Sequence, residues 1–431
     1  MAASERVSGA ISASRQYAPY VEADWGFKNT WYPALFSHEL GENGVKGVTM
    51  AGHDIALRRS GGKVYALRDR CAHRGVKLSL RPMCLTAETL SCWYHGFTYG
   101  LKDGVLKTIV ASPDDPLIGK VRIRTYPVVE RAGIIFVFVG DEDFEPLPPL
   151  ESDLPIRITD DTNAVAHILD ENVYVRGIHR TGNSNWRLAV ENGFDPGHLL
   201  IHWDNQIVAA TDRKLGLGVE PIGDEAIKTI DEPNGPKGIM NMYNTRAYKF
   251  IMENKAVNMR ARGKNSYYAR TSMYLPGVLL VEHWPNPGWA QYEWYVPTDD
   301  KHHEYWEILV GHCRNEDERR EADYLYDNFF EPLALRDFND NDLFAREAMQ
   351  NFYERGDGWN REKLCAFDAA TITWRKVAAR FNRGIQEPPN RTTDNKTDDK
   401  RSAAAQGLIA RPRCPPRPHL RRRRPHSLHI A

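Results

Sequence analysis

At 431 residues the chain exceeds a usual single domain, and its 42% apolar and 10% aromatic content is enough for a proper core, which excludes disorder throughout. The formal net charge of zero hides an asymmetry: residues 391–431 hold eleven Lys/Arg against three Asp, leaving 46 basic and 54 acidic residues in the body. A mildly acidic body argues against nucleic acid as a partner.

No run reaches the roughly 18 apolar residues of a membrane span, and Met1–Arg15 lacks an apolar signal core, so a cytoplasmic protein without a membrane partner is expected. Six cysteines (Cys71, Cys84, Cys92, Cys313, Cys365 and Cys414) are too few and too scattered for a disulfide framework. They are better candidates for metal.

After an N-terminal segment, 1–28, short β-rich runs such as Lys46–Met50 and Val64–Leu67, broken by Gly61-Gly62, predict hairpins of a small sheet domain over 29–149. The acidic, proline-rich stretch Gly140–Pro149 reads as a linker. A second domain over 150–388 mixes helices with strands, so the chain as a whole is expected to be α+β. Its helices are predicted at Asn185–His202, Glu316–Phe330, Asp340–Tyr353 and Asp368–Phe381, and its strands at Arg270–Val281 and Gln291–Val296. Residues 389–431, basic and proline-rich with almost no apolar periodicity, are expected to be a disordered tail.

Within the first domain, Cys71-Ala-His73 is followed after eighteen residues by Cys92-Trp-Tyr-His95. Zinc fingers usually pair Cys with Cys and His with His, but here each loop carries one of each. That mixture suits a [2Fe–2S] cluster in which one iron takes two thiolates and the other two imidazoles. Gly75 and Gly96 fit tight turns around it. Cys84 has no histidine at motif spacing and is read as a small buried residue.

In the second domain, Glu191-Asn-Gly-Phe-Asp195-Pro-Gly-His198-Leu-Leu-Ile-His202 puts two histidines four apart, on one face if the segment is a helix. Asp195 would hold a ring nitrogen of His198 and fix its tautomer. Two histidines with one carboxylate make the facial triad of non-haem Fe(II) oxygenases. Of the acids between Asp337 and Glu347, Asp342 is chosen because it heads the apolar line Ala345, Met349 and Phe352, whereas Asp340 reads as an exposed N-cap. A zinc protease would need Glu directly after the first histidine, where Leu199 stands.

Together, Cys71-x-His73-Arg-Gly, Cys92-x-Tyr94-His95-Gly and the His198/His202 motif resemble the α subunits of Rieske ring-hydroxylating oxygenases. Asn185–Pro196, Leu275–Leu279 and Gln291–Pro297 are similar to the homotrimeric branch that includes carbazole and oxoquinoline oxygenases. The resemblance implies a β-rich Rieske domain followed by a helix-grip-like catalytic domain with an antiparallel sheet packed by helices. It implies cluster ligands Cys71, His73, Cys92 and His95 and iron ligands His198, His202 and Asp342. Asp195 and Asn192 become catalytic residues, Asp195 bridging His198 to a cluster histidine, His95, of a neighbouring subunit in a head-to-tail trimer.

A substrate N–H would meet the Gly193 carbonyl in a pocket lined by Leu199, Leu279, Trp284, Gln291, Phe338 and Asn339. The implied partners are a reductase or ferredoxin, O₂ and a fused aromatic substrate. Trp284 points to single hydroxylation of an oxoquinoline-like ring, with carbazole-like angular dihydroxylation as the alternative. An oxidative demethylase would use the same metals, and a Rieske electron carrier would need only the first site.

Overall fold

The structure, a computed structural model, describes residues 16–389 apart from 158–164, 212, 215–218, 224, 234, 246–247, 253–254, 260–264, 267 and 356–357. The tail expected beyond Pro389 lies outside the described residues. The described residues fall in one compact unit that ends at Pro389.

The first part is built from three small sheets. Val45–Met50, His53–Ser60, Lys63–Arg68 and Thr125–Tyr126 pair in that order, and the turn Gly61-Gly62 takes positive φ (59° and 72°) at both positions, as a two-residue hairpin requires. Thr89–Ser91, Phe97–Gly100 and Leu106–Ile109 make the second sheet. In the third, Thr30–Phe36 and Ile134–Val139 are buried at every position, because Trp31, Phe36 and Phe136 join one apolar core with Trp294 and Trp306 of the second part.

The second part centres on an eight-stranded sheet in the order Val173–Gly182, His303–His312, Ala290–Pro297, Val278–Glu282, Tyr268–Tyr274, Gly235–Thr245 and Val219–Pro221, with Ile227–Glu232 also paired to Gly235–Thr245. Its pairings are antiparallel. The single strand expected over Arg270–Val281 is two, because Leu275-Pro276-Gly277 turns the chain back and pairs Tyr274 with Val278. Side chains alternate across the sheet. Tyr292, Trp294 and Val296 enter the shared core on one face, while Gln291, Glu293 and Tyr295 occupy the other.

That second face is covered by helices. The two helices expected between Glu316 and Tyr353 are one continuous run: an α-helix Glu316–Leu325 capped by Asn315, a π-helical stretch Tyr326–Phe338, and an α-helix Asn339–Glu354. Asp340 therefore caps nothing; it lies on the exposed side and pairs with Arg180. The C-terminal helix Ala369–Ala378 packs Trp374 beside Tyr20, whose ring also meets Trp186 and Trp359 at 5.9 and 6.0 Å. Tyr17, Tyr20, Ala23 and Phe27 of the expected N-terminal segment are thus buried.

His179, on the edge strand of the large sheet, bonds Glu304 through Nδ1 (2.6 Å) and Glu39 through Nε2 (2.9 Å), tying the two parts together. Burial opposes its charge, but the two carboxylates outweigh burial and raise its pKa. This stabilisation is complete below about pH 6.5 and is lost as pH rises through the raised value. The urea midpoint of the wild type should therefore exceed that of His179→Gln at pH 6 and converge on it by pH 9; a constant gap would contradict the assignment.

Candidate metal centre and cavity

The helix expected to run from Asn185 to His202 breaks at Asp195. The α-helix covers Trp186–Phe194, Asp195 is extended (φ −72°, ψ 114°) and Pro196–His202 forms a 3₁₀ turn. The cause is Pro196: a residue before proline disfavours the helical region, and proline suits the first position of a new helix. Asp195 becomes that helix's N-cap, its Oδ1 accepting from Gly197 N–H at 2.7 Å.

The break rearranges the polar groups. The Asp195 backbone carbonyl, not the carboxylate as expected, faces Nδ1 of His198. A carbonyl only accepts, so Nδ1 carries the proton and Nε2 is left bare. The carbonyl of Gly193 is also released. The N–H four residues on, Gly197, is spent on Asp195, and Pro196 has none to give.

Asp342 arrives from the other side, one turn into the helix Asn339–Glu354 and 3% exposed. Its Oδ1 lies 3.4 Å from Nε2 of both His198 and His202. Asp342 Oδ1 and His202 Nε2 are buried without hydrogen-bond partners among the described residues. Burial pushes the His198 imidazole down to about 4. For Asp342 burial opposes ionisation, yet His202, His198 and Arg346 outweigh it and hold the carboxyl well below the usual range. Two imidazole nitrogens and one carboxylate oxygen, two of the three atoms buried without a hydrogen-bond partner among the described residues, fit one divalent metal ion. Of the line expected beneath Asp342, Phe352 is exposed; the buried neighbour on that face is Arg346.

A cavity opens beside these ligands. Its walls include Gly193, Leu199, Leu279, Trp284, Gln291, Phe338 and Asn339 together with His198 and Asp342. Phe338 stacks on His202 (3.6 Å between centroids), and Trp284 leans on Phe338 at 4.8 Å. A Cβ on Gly193 would come within 2.0 Å of the Tyr295 hydroxyl, so only glycine lets this helix approach the sheet. Asn192 does not line the cavity; its Oδ1 accepts from Arg346 Nε at 2.6 Å.

The first constellation sits on two loops of matching form. Gly75 N–H bonds the Cys71 carbonyl and Gly96 N–H bonds that of Cys92, each glycine at positive φ. A Cβ at Gly96 would strike Val110 at 2.4 Å. The thiols of Cys71 and Cys92 are buried, whereas His73 and His95 lie outward with Nδ1 atoms 3.2 Å apart. Two inner sulfurs and two outer imidazoles fit a [2Fe–2S] cluster with one iron on each pair. Burial raises the Cys71 thiol. Cys84, expected to be buried, is exposed, in the loop between Met83 and Thr89.

Comparison with known proteins agrees with both sites. Residues 30–127 match the Rieske [2Fe-2S] domain and residues 138–386 match the family described as homotrimeric ring hydroxylase. The chain belongs to the homotrimeric ring hydroxylases. It is 40% identical over 376 residues to the terminal oxygenase component of carbazole 1,9a-dioxygenase from Metapseudomonas resinovorans, covering 86% of this chain and 94% of that one. The corresponding Sphingomonas component is also 40% identical, over 87% and 97%. Among solved structures, a 2-oxoquinoline 8-monooxygenase component shares 46% identity with a TM-score of 0.80, covering 95% of this chain and 98% of that one.

This ring hydroxylase contains site residues that the sequence reading did not single out. The Tyr99 hydroxyl lies 3.2 Å from Cys71 Sγ and accepts from Ala72 N–H at 3.0 Å, placing a hydroxyl against a cluster sulfur. Glu293 accepts from Gln291, Tyr295 and Tyr305 beneath the cavity. Alternation along Ala290–Pro297, with polar residues on one buried face, was the available signal for Glu293. Asp342→Ala should lower iron from about three to about two atoms per chain and leave the cluster's electron paramagnetic resonance signal intact; unchanged iron content would exclude Asp342 as a ligand.

Proposed function

We propose that this terminal oxygenase hydroxylates a fused, nitrogen-containing aromatic ring, in the manner that the name 2-oxoquinoline 8-monooxygenase describes for its 46%-identical relative. The observation that carries this is the released Gly193 carbonyl in a cavity shared with His198, Asp342 and the broad face of Trp284. A carbonyl freed of its helical partner favours a ligand that supplies a donor, here a ring bearing N–H. Gln291 adds to this: its amide N–H is held by Glu293, and its Oε1 is buried without a partner among the described residues. The carbazole-like reading keeps the same N–H and differs in the number of oxygen atoms delivered.

On this reading His198, His202 and Asp342 hold iron and Cys71, His73, Cys92 and His95 hold the cluster. When bound, the two groups supply O₂ activation and single-electron delivery. The residues do the rest. Gly193 and Gln291 orient the ring, and Trp284 and Phe338, packed against each other, offer it an aromatic wall. Asp195, whose carboxyl burial pushes up to about 6, bridges the subunits by holding His198 through its backbone carbonyl and offering its carboxylate to His95 of a neighbouring copy.

A head-to-tail trimer would cover the exposed Leu200, Ile201 and Phe367 near Asp195 and the exposed Tyr94 and Val110 near the cluster loops. A ferredoxin is the natural electron donor, since relatives 37% identical are known in complex with one. No helix among the described residues is long and apolar enough to cross a membrane, which accords with the cytoplasmic placement proposed.

Turnover of a panel of N-heteroarenes under ¹⁸O₂ tests the reading: one labelled atom in the product means monooxygenation and two mean dihydroxylation. Formaldehyde from N-methylated substrates, without ring oxidation, would replace it with a demethylase. Asp195→Ala should retain both metals and lose nearly all turnover; full activity would remove the bridge.

A further inference from the structure

Asn205 opens the short helix Gln206–Ala210 from the N-cap position, yet its side chain caps nothing. The cap is supplied by Asp337, whose Oδ2 accepts from Gln206 N–H at 3.2 Å. Asn205 is thereby free for other partners, and it is 6% exposed. Its Nδ2 faces two groups that only accept, the Asp337 backbone carbonyl at 3.1 Å and the Asp337 carboxylate at 3.2 Å. Its Oδ1 faces the Asn341 amide nitrogen at 3.1 Å and Nδ1 of His202 at 3.0 Å. Reversing the amide would set Nδ2 against another amide N–H and Oδ1 against a carboxylate. The network therefore fixes the orientation.

We propose that Asn205 is a positioning residue for the metal centre: its locked Oδ1 holds the proton of His202 on Nδ1 and so presents a bare Nε2 to the ion. This rests on reading His198, His202 and Asp342 as the metal ligands, and goes beyond it by assigning what orients His202. The two histidines then reach the same tautomer by different means. His198 uses a backbone carbonyl that no side-chain substitution removes, and His202 uses a side chain. His202 is fully buried and Phe338 stacks on its face, and Asn205 Oδ1 is the partner of its Nδ1 among the described residues. Partners that orient a metal-bound histidine typically govern metal affinity by about 10- to 100-fold.

Two variants separate positioning from support of the fold. Asn205→Ala removes both the acceptor for His202 and the links to Asp337. Asn205→Asp keeps an acceptor for His202 but replaces the links to Asp337 with a like charge. Cobalt(II) affinity of the metal-depleted full-length protein, measured by chelator competition, should fall about 10- to 100-fold in Asn205→Ala and stay within about threefold of wild type in Asn205→Asp. The thermal midpoint of the metal-free protein should fall at least as far in Asn205→Asp as in Asn205→Ala. Wild-type affinity in Asn205→Ala, or equal losses of affinity in both variants, would overturn the proposal. His202→Ala is the control on the reading beneath it: if that variant binds cobalt(II) as the wild type does, the ligand assignment itself fails.

Discussion

A carboxylate with 3% exposure would cost several kcal/mol if it stood alone. Asp342 is tolerated because positive or polarisable groups converge on it: His198 and His202 from the broken helix at 3.4 Å each, and the Arg346 guanidinium from the next turn of its own helix. Arg346 is in turn held by Asn192, Glu293 and the rings of Tyr295 and Tyr305. The first turn of one helix, the end of another and two central strands are thus bound to a single charge. Removing that charge would leave Arg346 and two inward imidazoles without their common partner, so site and local packing stand together.

The large sheet divides its labour by face. Tyr292, Trp294, Val296, Trp306, Ile308 and Val310 form the apolar core shared with the first part, and on the reverse Gln291, Glu293 and Glu307 are buried polar groups under the helices. Glu293 and Glu307 are direct cross-strand partners, and each is matched to its own arginine, Arg346 and Arg180. Burial raises both carboxyls, Glu307 to about 8. Such a face is unfavourable as core but suited to the wall of a cavity that must orient a ligand.

Much of this was legible in the sequence, because the chemistry is concentrated in short motifs. The Cys/His pairs and the His198/His202 spacing each rest on fewer than six residues of local geometry, and the helical phase of Asp342 on the eleven from 342 to 352. What failed was the conformation between them. Asn185–His202 carries a helical pattern, but Pro196 outweighs it, so the Asp195 carboxylate turns to Gly197 and its carbonyl takes His198. The role of Asp340 was misread because a cap presupposes a helix start, and the helix was already running from Glu316. Tyr99 meets Cys71 across 28 residues of chain, Asn205 is anchored by Asp337 across 132 and Arg346 by Asn192 across 154, separations no local periodicity encodes.

The π-helical stretch Tyr326–Phe338 sets the angular phase of everything after it. Each residue of an α-helix turns the chain by about 100° and advances it about 1.5 Å, whereas a π-turn takes up one residue more per turn. Deleting one residue there would rotate Asp342 and Arg346 together about a quarter of the way round the helix, away from the histidines, while barely shortening it. A surface loop tolerates a change of length; this segment behaves as a gear with a fixed number of teeth.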